Sequence, residues 1–252
     1  MRAFNPDRRR ALIFLAAVLV MLVARSGLAD SPPVDQLIPD MAKRYEAVSD
    51  YTCQLDKRVL KNGILHEDLA ISVKYRKPKQ YYFHWEQGPS RGREVIYVHG
   101  RNKNRLVAHP GGALRFLTLR LDPAGRLAME ANRHSLQHSG MDKIIEQVEA
   151  DYDLARKRGI DAIHCTGEGR FDGKVVWTIE GVFPADNGFY ARKVILLIDR
   201  TMGLPVKISI FDESDRLVEE YAFRNLKFNA GLTEDDFNPA NPEYRYFKGL
   251  IR

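Results

Sequence analysis

The stretch "AISVKYRKPKQYYFHWEQG", residues 70–88, decides the fold. Apolar residues occupy every second position on either side of the polar turn "RKPKQ", and they are Ile71, Val73, Tyr75, Tyr81, Phe83 and Trp85. Side chains two residues apart lie on the same face of a β-strand, so this pattern predicts two strands joined by a short turn. Each strand is expected to have one apolar face and one face in water.

The same alternation recurs in the second half of the chain. It is found in "KVVWTIEGVF" (174–183), "RKVILLIDR" (192–200), "LPVKISIFDE" (204–213) and "RLVEEYAFRNLKFN" (216–229). Turn sequences such as "DRTMGLP" and "FDESDR" separate these segments, which is typical of antiparallel hairpins.

Two segments have helical periodicity instead. Apolar residues recur every three or four positions from Val34 to Val48 and from Met141 to Arg158, and Gly159 is placed to end the second helix. The chain order is therefore helix, strands, a connecting region with a helix, and more strands. This order predicts an α+β protein with one long antiparallel sheet that helices cover on one face.

The first 29 residues have the features of an export signal. Three consecutive arginines, Arg8 to Arg10, precede an apolar run from Ala11 to Ala24, and Gly27 and Ala29 fit a cleavage site. We therefore expect cleavage after Ala29, a periplasmic location, and a single domain formed by residues 30–252. The apolar run is shorter than the roughly 20 residues of a membrane-spanning helix, and an uncleaved anchor is the alternative.

The expected mature chain is close to neutral. The whole sequence has a net charge of +6, and loss of residues 1–29 removes five arginines and one aspartate, which leaves +2. Nucleic-acid binding needs clustered basic residues that follow the phosphate backbone. We therefore expect no nucleic-acid partner.

The two cysteines, Cys53 and Cys165, both remain after cleavage. Thiols of exported proteins tend to pair, so we expect a disulfide between them. The alternative is that both are small buried apolar side chains.

The histidine-containing segments form no recognisable catalytic or metal site. In "REVIYVHGRNKNRLVAHPGG" (93–112), His99 and His109 belong to a predicted hairpin without a third or fourth zinc ligand nearby. "NRHSLQHSG" (132–140) puts His134 and His138 four residues apart, but without the glutamate of an HExxH motif.

No serine or cysteine lies in a nucleophile signature, and "GEGRFDG" lacks the spacing of a nucleotide-binding loop. We therefore expect no enzyme activity, no metal and no cofactor.

Five segments resemble a family of uncharacterised bacterial exported proteins related to the LolA/LolB lipoprotein-localisation group. They are "DYTCQLDKR" (50–58), "SRGREVIYVHGRN" (90–102), "LDPAGRLAMEANRH" (121–134), "LIDRTMGLPV" (197–206) and "EEYAFRNLKFNAGLTEDDFNPANPEY" (219–244). The resemblance extends from Leu37 to Tyr246, and "LDPAGRLAMEANR" and "NPEY" are its most specific parts.

This resemblance implies a strongly bent antiparallel β-sheet, an incomplete LolA-like barrel whose concave apolar side is covered by helices and holds acyl chains. It implies a carrier of a lipid or a lipidated protein, with a membrane-anchored donor or acceptor protein as a further partner. The alternative is an envelope sensor that binds a membrane-anchored regulator in response to lipid.

The alternating strand residues are the candidates for the wall of that cavity. The expected lipid-binding residues are Ile71, Val73, Tyr75, Tyr81, Phe83, Trp85, Val95, Tyr97, Val175, Trp177 and Ile179. The alternative is that they fill an ordinary hydrophobic core beneath the helices.

Overall fold

The computed structural model describes residues 31–114, 116–185 and 188–246. The predicted signal peptide and its cleavage after Ala29 lie outside these residues. The elements described below belong to one compact unit, which begins at Pro32. Within the described ranges, no helix combines the length and the hydropathy that a membrane span requires.

This unit consists of eleven strands and three α-helices over the described ranges. The strands are β1 (Asp50–Lys61), β2 (Ile64–Arg76), β3 (Gln80–Trp85), β4 (Glu94–Val98), β5 (Leu106–His109), β6 (Leu119–Leu121), β7 (Ile163–Phe171), β8 (Lys174–Val182), β9 (Lys193–Asp199), β10 (Pro205–Phe211) and β11 (Leu217–Phe228). The helices are α1 (Val34–Glu46), α2 (Arg126–Met129) and α3 (Met141–Arg158). Short 3₁₀ turns include Leu136–His138 and Glu234–Phe237.

All eleven strands belong to one antiparallel sheet, as the alternating pattern predicts. Their spatial order is β6-β5-β4-β3-β2-β1-β11-β10-β9-β8-β7, so two sequential meanders are joined by pairing of the first strand with the last. In this order β6 and β7 are the two edges, and the sheet is not closed into a barrel. The segment 122–162, which contains α2 and α3, connects the two edges.

The opening stretch forms the β2–β3 hairpin. Ile71 lies opposite Trp85, and Val73 lies opposite Phe83. Residues directly opposite each other have their side chains on the same face, so this register places the apolar residues of both strands together.

The helices bury the stripes that the periodicity predicts. Helix α1 buries Ile38 and Met41, and it ends at Glu46, two residues before the predicted end. Helix α3 has the predicted bounds, and it is followed by Gly159, whose φ of 65° is the left-handed conformation that favours glycine. The buried residues of both helices share one hydrophobic core with the sheet.

The opposite face of the first meander is covered as well, where the alternation predicts a face in water. Ile96 and Tyr82 are buried there in a second, smaller core with Phe237, which is only 1% exposed. The ring of Tyr244 stacks on Tyr82 with 4.1 Å between centroids, and Lys74 makes a 2.7 Å ion pair with Asp236. The C-terminal segment thus covers this face, which the pattern of β3 and β4 alone does not reveal.

The predicted disulfide is not formed, because Cys53 and Cys165 are both free thiols. Cys53 lies on β1 and Cys165 on β7, with four strands between them in the sheet. Neighbouring strands are about 4.8 Å apart, whereas a disulfide needs Cα atoms within about 7 Å of each other. Burial raises the pKa of the Cys53 thiol, which favours the neutral, unreactive form.

We predict that Phe237→Ala lowers the free energy of unfolding by about 3 to 5 kcal/mol, because it empties the centre of the second core. Phe116→Ala is the matched control, since that ring is 62% exposed and its loss should change stability by less than about 0.5 kcal/mol. Denaturant titration followed by circular dichroism measures both values. Equal stabilities for the two variants would show that the C-terminal segment does not hold this face of the sheet.

Candidate functional site

A cavity of about 1010 Å³ lies between the sheet and the connecting segment 122–162, which includes α3. Small-molecule sites usually measure about 300 to 1,000 Å³, so this cavity is at the upper end of that range. Its apolar lining includes Leu55, Ile71, Val73, Phe83, Val95, Leu106, Leu121, Leu136, Ile144, Val148, Ile163, Ile179, Leu196, Ile208, Ile210 and Phe223. Exposed charged residues such as Glu67 and Glu146 also belong to the lining, so the cavity opens to solvent.

Seven of the eleven predicted wall residues line this cavity. They are Ile71, Val73, Tyr81, Phe83, Trp85, Val95 and Ile179. The strand register explains the grouping, because Phe83 lies opposite Val73 on one side and Val95 on the other. The apolar face therefore continues across three neighbouring strands.

The other four predicted residues lie outside the cavity lining. The ring of Tyr75 is packed between Tyr51 and Tyr81, with 4.9 Å to each ring centroid. Tyr97 is fully buried and accepts a 3.1 Å hydrogen bond at its hydroxyl from Gln137. Neighbouring side chains cover both tyrosines, so they belong to the core.

Trp177 and Val175 do not line the cavity either. Trp177 is buried in the main core, and the guanidinium of Arg200 lies 5.2 Å from its ring centroid. Val175 is half-buried at the start of β8. On this strand the cavity lining begins at Ile179 and continues at Gly181.

The prediction missed the part of the wall that comes from α3 and from β9 to β11. Ile144 and Val148 of α3 face the cavity, as do Leu196 of β9 and Phe223 of β11. Their period-two and period-four patterns are visible in the sequence. The pairing of β1 with β11, which brings the two meanders together, is a long-range contact, so local patterns do not show that these residues share one cavity.

Buried charged groups inside the cavity were also missed, among them Lys57 and Glu219. Lys57 of β1 is almost fully buried, forms a 2.9 Å ion pair with Asp68, and donates a 2.8 Å hydrogen bond to the side chain of Asn132. Lys57 lies in phase with the inward residues Cys53 and Leu55 of the same strand. In the sequence, Lys57 can be recognised as a charged residue at a position where the alternation of β1 requires an apolar one.

Glu219 of β11 is the second such group, with a side chain that is 1% exposed. Its carboxylate accepts hydrogen bonds from the hydroxyls of Tyr190 (2.6 Å) and Tyr221 (2.9 Å). Arg133 and His134 approach it from the connecting segment at 3.0 and 3.2 Å. Burial acts to raise the pKa of Glu219, but these hydrogen bonds outweigh it and hold the pKa below its usual value.

The four histidines of the segments 93–112 and 132–140 contact other side chains of the fold rather than one another. His99 follows β4 and is not opposite His109, because His109 is paired with Glu94. The ring of His109 is buried against Tyr246, with 5.9 Å between centroids. His134 contacts Glu219, and His138 ends a 3₁₀ turn where it contacts Ser135. In the described part of the chain, no group of three or more potential metal ligands comes together.

Comparison with known proteins identifies the family. The model of the family described as "Protein of unknown function (DUF1571)" matches residues 48–246, and the chain belongs to this family. This match confirms the family resemblance that the sequence segments indicate. No curated protein matches the chain.

Three solved structures to which the chain is similar are distant from it in sequence. One is a putative outer membrane lipoprotein-sorting protein domain from Vibrio parahaemolyticus, with 14% identity, 81% of this chain and 95% of that chain covered, and a TM-score of 0.39. Another is a LolA superfamily protein from Nitrosomonas europaea, with 12% identity, coverages of 82% and 97%, and a TM-score of 0.33. The Pseudomonas aeruginosa MucA/MucB complex has 18% identity, coverages of 80% and 59%, and a TM-score of 0.41. At this distance the function has to be argued from the cavity.

Proposed function

We propose that this member of the DUF1571 family is a periplasmic carrier of a lipid or a lipidated protein. The observation that supports the proposal is the cavity of about 1010 Å³, whose wall is the apolar face of the sheet. In this proposal that face is the concave side of an incomplete barrel, and α1 and α3 form its cover.

An acyl chain needs such a surface to cross water. Exposing a chain of about 16 carbons costs roughly 12 kcal/mol, at about 0.8 kcal/mol for each methylene group. Ordinary cores leave few voids larger than a water molecule. A space of this size beside Phe83, Val95 and Ile144 is therefore suited to an apolar ligand rather than to close packing.

The lining also fits binding better than catalysis. Two of its buried ionisable groups, Lys57 and Glu219, are engaged by partners within 3.2 Å. A general base or nucleophile must instead reach the reacting atom of a substrate with a free lone pair. We propose that these groups position the connecting segment over the cavity and have no chemical step to perform.

We predict that Ile144→Trp weakens acyl-chain binding at least tenfold. The side chain is half-buried and lines the cavity, so an indole there takes up space that the ligand needs. Val182→Trp is the control, because Val182 is 42% exposed at the end of β8 and should leave binding unchanged. Titration with a fluorescent fatty acid measures the dissociation constants, and a tenfold change corresponds to about 1.4 kcal/mol. Unchanged binding by the Ile144 variant would contradict the proposed position of the acyl chain in the cavity.

Truncation separates cavity wall from core. Trp177→Ala is expected to cost about 3 to 5 kcal/mol of stability, because it leaves a void in a packed core. Phe83→Ala should cost less, since the half-buried ring faces open space, and it should weaken fatty-acid binding instead. Thermal melts and titrations on the same samples test this. If both variants are strongly destabilised and the parent protein binds no acyl chain, these residues form an ordinary core and the carrier proposal is wrong.

A transfer assay distinguishes the carrier from the sensor. A carrier loaded with a fluorescent lipid should release it to acceptor vesicles or to a membrane-anchored acceptor, and one protein molecule should serve many lipids. A sensor should instead retain its lipid and co-purify in fixed proportion with a membrane-anchored protein. The second result would replace the carrier proposal by the sensor.

A further inference from the structure

One carboxylate in the cavity has no compensating charge. Asp151 of α3 lines the cavity and is 6% exposed. Its Oδ1 atom accepts hydrogen bonds from the side-chain amide of Gln147 (3.2 Å) and from the backbone N–H of Tyr190 (3.4 Å). Among the residues that the structure describes, no Lys, Arg or His nitrogen lies within 4.0 Å of it.

The neighbouring charges of the cavity are already paired. Glu219 is neutralised by Arg133, and Tyr190 connects the two carboxylates, since its hydroxyl donates to Glu219 and its N–H donates to Asp151. Lys57 is paired with Asp68. Among the described residues, Asp151 is therefore the buried carboxylate of the cavity that has no counter-charge.

A buried carboxylate without a counter-charge is costly unless a ligand supplies one. Burial raises the pKa of Asp151, as expected for a group whose charged form lacks a partner. Val148, one helical turn away, belongs to the apolar wall. A ligand with a cation attached to an apolar chain would neutralise Asp151 with its cation and contact the apolar wall with its chain.

We propose that Asp151 binds the ammonium group of an amphiphile whose acyl or alkyl chain occupies the apolar cavity. This inference rests on the proposed function and adds the chemical class of the headgroup, a primary amine. Gln147 and Tyr190 orient the carboxylate by donating to Oδ1, and the ammonium group binds the remaining oxygen, Oδ2.

The test compares three probes of equal chain length, namely dodecylamine, dodecanol and dodecanoate, as competitors for a fluorescent fatty acid. In the parent protein, dodecylamine should bind at least tenfold more tightly than dodecanol, which corresponds to about 1.4 kcal/mol, because a hydrogen bond between an ammonium group and a carboxylate is stronger than one from a neutral hydroxyl. Asp151→Asn keeps the size of the side chain and an acceptor oxygen, and it should remove this preference. Asp153→Asn is the matched control, because it makes the same charge change at an exposed position of the same helix.

The outcomes separate the two proposals. Equal binding of dodecylamine and dodecanol by the parent, or an amine preference that persists in Asp151→Asn, would overturn the role of Asp151 while leaving the acyl-chain cavity intact. Failure of all three probes to bind would overturn the proposed function and this inference with it. Thermal melts verify folding, and Asp151→Asn should melt at or above the temperature of the parent because it removes an uncompensated buried charge.

The amine has two chemically distinct sources, a lipid headgroup or the free amino terminus of an acylated protein. Lysophosphatidylethanolamine tested against lysophosphatidylglycerol addresses the first, and an acylated peptide with a free or an acetylated amino terminus addresses the second. An Asp151-dependent preference for the amine in either pair supports the inference and identifies the source. No preference in either pair would contradict it.

Discussion

The pairing of β1 with β11 is the contact on which the rest of the structure depends. It runs from Tyr51 opposite Phe228 to Val59 opposite Glu219, and it joins the meander of β1 to β6 with that of β7 to β11. Without it the chain would form two separate sheets of six and five strands. With it, the alternating residues of both halves form one continuous apolar face, and two helices of 13 and 18 residues contribute to its burial. The cavity is the part of this face against which α3 and the connecting segment do not pack closely.

Local elements of this arrangement follow directly from sequence periodicity. The alternation around Val73 and Phe83 predicts two strands, and the register places these residues opposite each other. The bounds of α3 follow from its apolar stripe and from Gly159, which adopts the left-handed conformation at its end. Such features depend on residues that are close in the chain, so a local pattern is sufficient to predict them.

Features that depend on distant residues are not predictable in this way. Period two identifies the apolar face of a strand, but it cannot tell the cavity wall at Phe83 from the packed core at Tyr97, because the difference is made by Gln137 and other residues of the connecting segment. For the same reason the polar side of β3 was expected in water, although Phe237 and Tyr244 cover it from the far end of the chain. The expected Cys53–Cys165 bridge assumed proximity, whereas the strand order separates the two residues. Asp151 and Glu219 were not predicted either, because nothing in their sequence surroundings distinguishes them from other acidic residues. Only the fold buries them and supplies their hydrogen-bond partners.

Native mass spectrometry of the protein isolated without detergent from its own cells tests the central claim most directly, because an occupied apolar cavity retains its ligand through mild purification. The account predicts a fraction of molecules heavier than the polypeptide by the mass of one acyl-chain compound, which is released on denaturation and absent from Ile144→Trp. A single mass equal to that of the bare polypeptide, in a protein that also takes up no added lipid, would contradict it.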